Sequence, residues 1–83
     1  MNKKLRLVEV DWVDSCRHGG WQEVEEYLEE HVLKCRSAGY LLRSNRKEVM
    51  LIQSLDPNNK ATDSMCIPRS SVKKIRYLEV KEP

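Results

Sequence analysis

The chain reads as α+β: a small, partly open antiparallel β-barrel carrying one amphipathic helix after its first strand. Three observations predict it. Several short runs alternate apolar and polar residues, the period of half-buried strands. One segment, Trp21 to Leu33, changes to the three-and-four spacing of a helix. A proline, Pro68, stands after an apolar residue near the end, where it stops one strand and turns the chain toward the next. Eighty-three residues leave room for a single hydrophobic core, so the chain is expected to be one domain.

The first strand is expected over Leu5 to Val13, where Val8, Val10 and Trp12 alternate with Glu9 and Asp11. Asp14 to Gly20 then carries loop chemistry, including the Gly19-Gly20 pair. In the helical segment Trp21, Val24, Leu28 and Val32 form the apolar stripe and the glutamates face away from it. Glu23 and Glu25 sit in the first turns, where the helix dipole favours anions, and Lys34 and Arg36 follow the end.

Cys35 to Ser44 and Glu48 to Leu55 form a hairpin closed by Ser44-Asn45-Arg46-Lys47. Neither strand alternates cleanly: Tyr40 and Leu42 share one face while Gly39 and Leu41 share the other, and Val49 and Leu51 oppose Met50 and Ile52. Both faces are therefore expected to be sheltered, one by the core and the other by the helix or by a second chain. Asp56 to Asp63 is a loop by composition. A short strand, Ser64 to Ile67, meets Pro68, a tight turn follows through Ser71, and a last strand runs from Val72 to about Val80.

Composition excludes several classes. At 40% hydrophobic and 34% charged, the chain is too apolar for outright disorder and too charged for a membrane protein. Its apolar runs fall far short of the roughly 20 residues a spanning helix needs. Glu9 and Asp11 break any apolar core of a signal peptide, so export is not expected. Three cysteines at irregular spacing argue for a reducing, cytoplasmic setting. The net charge of +2 hides an uneven distribution. Five glutamates (Glu23, Glu25, Glu26, Glu29 and Glu30) lie in one short segment, and with 8 other acids against 15 Lys and Arg the remaining residues carry +7. A bipolar chain of this kind suits self-association, an anionic ligand, or solubility alone.

Ile67-Pro68-Arg69-Ser70-Ser71-Val72 resembles the closing element of SH3-like barrels, in which the fourth strand ends at an apolar-Pro pair and passes through one 3₁₀ turn into the fifth. The resemblance implies an SH3-like or Sm-like barrel, ordered strand, helix, strand, strand, strand, 3₁₀ turn, strand. More broadly, the chain resembles small uncharacterised proteins of phages and prophages. That resemblance is carried by Val10-Asp11-Trp12-Val13-Asp14-Ser15, Gly20-Trp21, Cys35 to Leu42, Gln53-Ser54-Leu55 and the Ile67-Pro68 segment. It implies a phage or prophage origin and action in a bacterial cytoplasm, and no mechanism.

Candidate chemistry is sparse. Cys16-Arg17-His18 and His31 to Cys35 offer two His and two Cys, but the first pair is tighter than zinc sites use and the second straddles a helix end, so no metal is expected. Asp14, Ser15, Cys16 and His18 crowd one loop, whereas a catalytic triad needs groups converging from separate elements. There is no phosphate-binding glycine fingerprint and no cofactor motif. Enzyme activity is not expected.

Two binding surfaces remain. Ser15, Arg17, His18, Gly19, Gly20 and Trp21 lead into a helix start, where unpaired amides, flexible glycines and an Arg would accept a phosphate or nucleotide. Arg43, Arg46 and Lys47 at the hairpin turn, with Arg69, Lys73, Lys74 and Arg76 near the end of the chain, would track a nucleic-acid backbone. The sequence thus predicts a non-enzymatic binding protein without a cofactor, interfering with a host process by occupying a host protein or sequestering a nucleotide signal. The alternative is RNA or single-stranded DNA binding. A homo-oligomer is compatible with either, and no membrane partner is expected.

Overall fold

The computed structural model describes residues 4–15, 17 and 19–81. Their elements run β1 (Arg6–Asp14), α1 (Val24–Tyr27), β2 (Leu33–Ser44), β3 (Glu48–Leu55), β4 (Ala61–Pro68), a 3₁₀ turn (Arg69–Ser71) and β5 (Val72–Tyr77). The five strands make one antiparallel sheet in the order β4-β3-β2-β1-β5.

Each strand follows from its residues. β1 alternates as its sequence demands, with Val8 and Val10 wholly buried and Glu9 and Asp11 at the wetter face. β2 is the long strand of the sheet. Its first part pairs with β1 from Asp14↔Leu33 to Arg6↔Leu41, and its last part pairs with β3. The two ladders overlap at Tyr40 and Leu41, and the β2–β3 ladder shifts register between Leu41 and Arg43, a bulge that bends the strand there. The β2–β3 turn is tied by Asn45, whose side-chain oxygen accepts from the amides of Lys47 and Glu48 at 2.9 Å each, an Asx turn. The β3–β4 turn uses Asp56 in the same way, accepting from the amides of Asn58 and Lys60. That stretch was expected to be a loop as far as Asp63. It is instead a tight turn, and β4 begins at Ala61.

The core gathers Val8 and Val10 from β1, Val49 and Leu51 from β3 and Ile67 from β4, with Trp12, Leu41, Val72 and Ile75 packed against it. Ile67 and Val8 lie on strands three places apart in the sheet, so they share one cluster because the sheet curls. Burying each such side chain stabilises the fold by roughly 1.5–3 kcal/mol. Gly39 of β2 lets the backbone of β3 approach closely. A Cβ there would stand 2.8 Å from the backbone oxygen of Ile52 and 3.3 Å from Leu51 Cβ.

Two corrections to the expected fold follow. First, the sheet does not close into an SH3-like or Sm-like barrel. β4 and β5 are its two edges and do not pair with each other. The Ile67-Pro68 segment does pass through a 3₁₀ turn into β5, but β5 is six residues long and hydrogen-bonds only to β1. Second, the chain is not α+β with an amphipathic helix, because the helix expected over Trp21 to Leu33 reduces to the single turn of α1.

The physical reasons lie in the segment itself. Helices of this length are marginal in water unless an apolar face is packed, and here nothing covers that face. Glu25 and Glu29, and Glu26 and Glu30, are like charges one turn apart, which oppose helix formation. Glu23, at the start of the turn, makes no capping hydrogen bond with its side chain. The segment instead leaves the sheet as an arm between β1 and β2, and the molecule is drawn out. Its radius of gyration is 16.9 Å, against about 12 Å for a compact chain of this length.

Candidate functional site

The described residues of the expected anion-binding loop do not converge on a site. Cys16 and His18 lie outside the described residues. Of the others, Ser15, Arg17, Gly19, Gly20 and Trp21 are all exposed. Both glycines stand in open space and Gly20 takes a left-handed φ of 97°, so the pair turns the chain without closing around a ligand. The Ser15 amide donates to Asp14 Oδ1 at 2.9 Å. The helix start that was to point its amides at an anion lies farther on, at Val24, and belongs to a turn of four residues.

The seven nominated basic residues divide among four places. Arg43 is paired with Glu48 at 2.8 Å. Arg76 is held by two carboxylates, donating to Glu9 Oε1 at 3.1 Å and to Asp11 Oδ2. Asp11 also takes Arg36 Nε at 2.9 Å. Glu9, Asp11, Arg36 and Arg76 thus form one lattice across β2, β1 and β5 on the sheet face opposite the core. The hydrogen bonds from Arg76 and Arg36 hold the Asp11 carboxyl well below the usual carboxylate range, and Asp11 in turn raises Arg76. Lys74 is the cross-strand neighbour of Asp11. Within this lattice the two carboxylates offset the charges of Arg36 and Arg76.

Arg46 and Arg69 do come together. They line an open hollow of about 460 Å³ with Ser44 and Asn45 at the end of the sheet. Arg69 is positioned there by its side chain, which donates to Ser44 Oγ at 2.9 Å, and by its amide, which donates to the Lys47 carbonyl at 2.9 Å. Among the described residues no carboxylate pairs with Arg46, Lys47 or Arg69.

Lys73 goes elsewhere. The β1–β5 register passes from Asp11↔Lys74 to Trp12↔Val72, so Lys73 is the extra residue of a bulge. It lines a trough of about 580 Å³ at the far end of the sheet, beside Trp12, Val13, Cys35, Lys34 and Arg36. Trp12 is fixed there, its indole N–H donating to Ser37 Oγ at 3.0 Å. The lining thus joins apolar Trp12, Val13 and Cys35 to the cations Lys34, Arg36 and Lys73, and Asp11, which also lines it, is paired with Arg36 and Arg76.

The feature that sequence reasoning misplaced is the arm. Trp21, Val24, Leu28 and Val32, expected to pack on the sheet, are exposed at 104%, 70%, 75% and 56%. Two polar contacts shape the arm locally: Tyr27 O–H donates to the Gly20 carbonyl at 2.8 Å, and Gln22 Nε2 donates to Glu30 Oε1 at 3.1 Å. Its apolar stripe was legible from spacing; that the stripe would lack a partner within the chain was not. The carboxylate lattice was also missed. Its signal was the alternation of Glu9 with Asp11 on one strand and of Lys74 with Arg76 on another.

No three His, Cys, Asp or Glu side chains cluster among the described residues, and no helix there is long and apolar enough to cross a membrane. Fold and site together define a small, almost wholly β chain with a basic trough at one end and an acidic, apolar arm beside it. Comparison with protein-family models finds no match, and comparison with curated proteins and with solved structures finds none either.

Proposed function

We propose that this chain is a non-enzymatic binding protein that docks its 21–33 arm onto another protein. The observation that carries the reading is the exposed apolar stripe of Trp21, Val24, Leu28 and Val32. Four large side chains at helical spacing, flanked by five glutamates, are an interaction surface of the helix-in-groove kind, which folds as it is covered. Trp21 is its anchor, because buried tryptophans contribute heavily to binding. A phage or prophage protein that occupies a host protein in the bacterial cytoplasm fits this reading, on the strength of the sequence resemblance alone.

The test is a photo-crosslinking residue placed at Leu28 and activated in growing bacteria. Discrete adducts that vanish in a Trp21→Ala background are the expected result. A chain that forms no adduct despite normal expression overturns the reading.

One observation favours a second reading. Arg46, Lys47 and Arg69 meet at the opposite end of the sheet without carboxylate partners, a short cationic patch able to contact the backbone of RNA or single-stranded DNA. Binding of a labelled oligonucleotide that falls steeply with salt and is lost in Arg46→Ala/Arg69→Ala would establish it. No affinity at low salt removes it.

A further inference from the structure

We infer that the protein which the arm engages is a second copy of this chain, each copy laying its acidic arm over the trough of the other. The inference rests on the docking reading above and names its partner. Three observations carry it.

The first is area. The chain exposes 7300 Å², whereas a compact chain of 9.8 kDa would expose about 5,200 Å². The excess of about 2,100 Å² exceeds the roughly 800 Å² per partner that a standard stable interface covers.

The second is charge. Glu23, Glu25, Glu26, Glu29 and Glu30 leave the arm strongly acidic, while the rest of the chain carries +7. Among the described residues none of the five is engaged by a cation. The trough offers what the arm lacks, with Lys34 and Lys73 among its lining residues beside the apolar Trp12, Val13 and Cys35. The negative charge of Asp11 is offset by its pairing with Arg36 and Arg76.

The third is placement. The arm leaves β1 at Asp14 and rejoins β2 at Leu33, and the trough lies between Asp11 and Val13 of β1 and Lys34 and Arg36 of β2. Donor and acceptor stand at the same end of the sheet. Two copies meeting there about a two-fold axis satisfy both contacts at once, the self-complementary arrangement of an isologous dimer. The arm completes its helix in that complex, since its apolar stripe is then covered.

Sedimentation of the purified full-length chain over rising concentration tests this. A monomer–dimer equilibrium that weakens with salt is expected, with Trp21→Ala raising the dissociation constant about tenfold or more. The decisive variants are charge swaps. Glu25→Lys/Glu26→Lys and Lys34→Glu/Lys73→Glu should each be monomeric with unchanged circular dichroism from the sheet, and should form a heterodimer when mixed. A wild-type chain that stays monomeric throughout, or a dimer indifferent to Trp21 and to both swaps, overturns the inference. A misfolded swap variant leaves Trp21→Ala as the deciding measurement. The in-cell crosslink separates the two readings. An adduct to a foreign protein from a chain that is monomeric in solution leaves docking standing and removes the second copy. An adduct at twice the chain mass supports both, and no adduct with no dimer removes both.

Discussion

In the sheet, Val8, Val10, Val49, Leu51 and Ile67 lose nearly all contact with water, whereas in the arm Trp21, Val24, Leu28 and Val32 keep more than half of theirs. Both regions have well-formed apolar patterns, one of period two and the other of period three to four. What separates them is where their partners come from. A strand finds its backbone hydrogen bonds and its packing neighbours in adjacent strands of the same chain. A single short helix satisfies its backbone alone but not its apolar face, and among the described residues of this chain nothing covers that face. The arm therefore remains a pattern awaiting a surface.

The comparison is broken most directly by truncating the core. Ile67→Ala should cost about 2–5 kcal/mol, a large share of the stability of a domain this small, and urea unfolding followed by tryptophan fluorescence measures it. Gly39→Ala comes next. The added methyl meets the Ile52 backbone oxygen and Leu51, neither of which can swing away, so a loss of about 1–3 kcal/mol is expected, read as a lower thermal midpoint.

A smaller effect should follow from the lattice. The folded-state pKa of Asp11 is depressed, so its contribution is full above the unfolded value of about 3.9, begins to shrink below it, and is wholly lost only as pH falls through the lower folded-state value. Asp11→Asn should lower the thermal midpoint at neutral pH and converge with the parent chain in acid. A gap that persists unchanged at about pH 3 would contradict the assignment. The smallest effect belongs to the arm. At concentrations where the chain is monomeric, Trp21→Ala and Leu28→Ser should change unfolding free energy by no more than about 0.5 kcal/mol. A loss comparable to that of Ile67→Ala would mean that the arm packs on its own sheet after all.

Much of the sheet was legible residue by residue. The alternation in β1, the extent of β3, the turn at Asn45 and the tight turn after Pro68 all follow from local chemistry. The boundaries at Ala61 and Tyr77 moved because strand ends depend on the neighbouring strand. Of the candidate sites, only the meeting of Arg46 and Lys47 with Arg69 was legible as a cluster. Arg43 and Arg76 were counted as free cations because the carboxylates that occupy them lie far off in sequence or across the sheet.

The sequence by itself determined where the five strands lie to within a few residues, the turns at Asn45 and after Pro68, the apolar stripe of the arm and the separation of acidic from basic residues, since each is set by neighbours a few positions away. Only the tertiary structure decided that the sheet stays open, that Glu9 and Asp11 bind Arg36 and Arg76, that Gly39 must be bare, and that the arm stands apart from the core. Those outcomes depend on which strands become adjacent and how sharply the sheet curls. Curl and adjacency arise from contacts between residues distant in the chain, which no local spacing encodes.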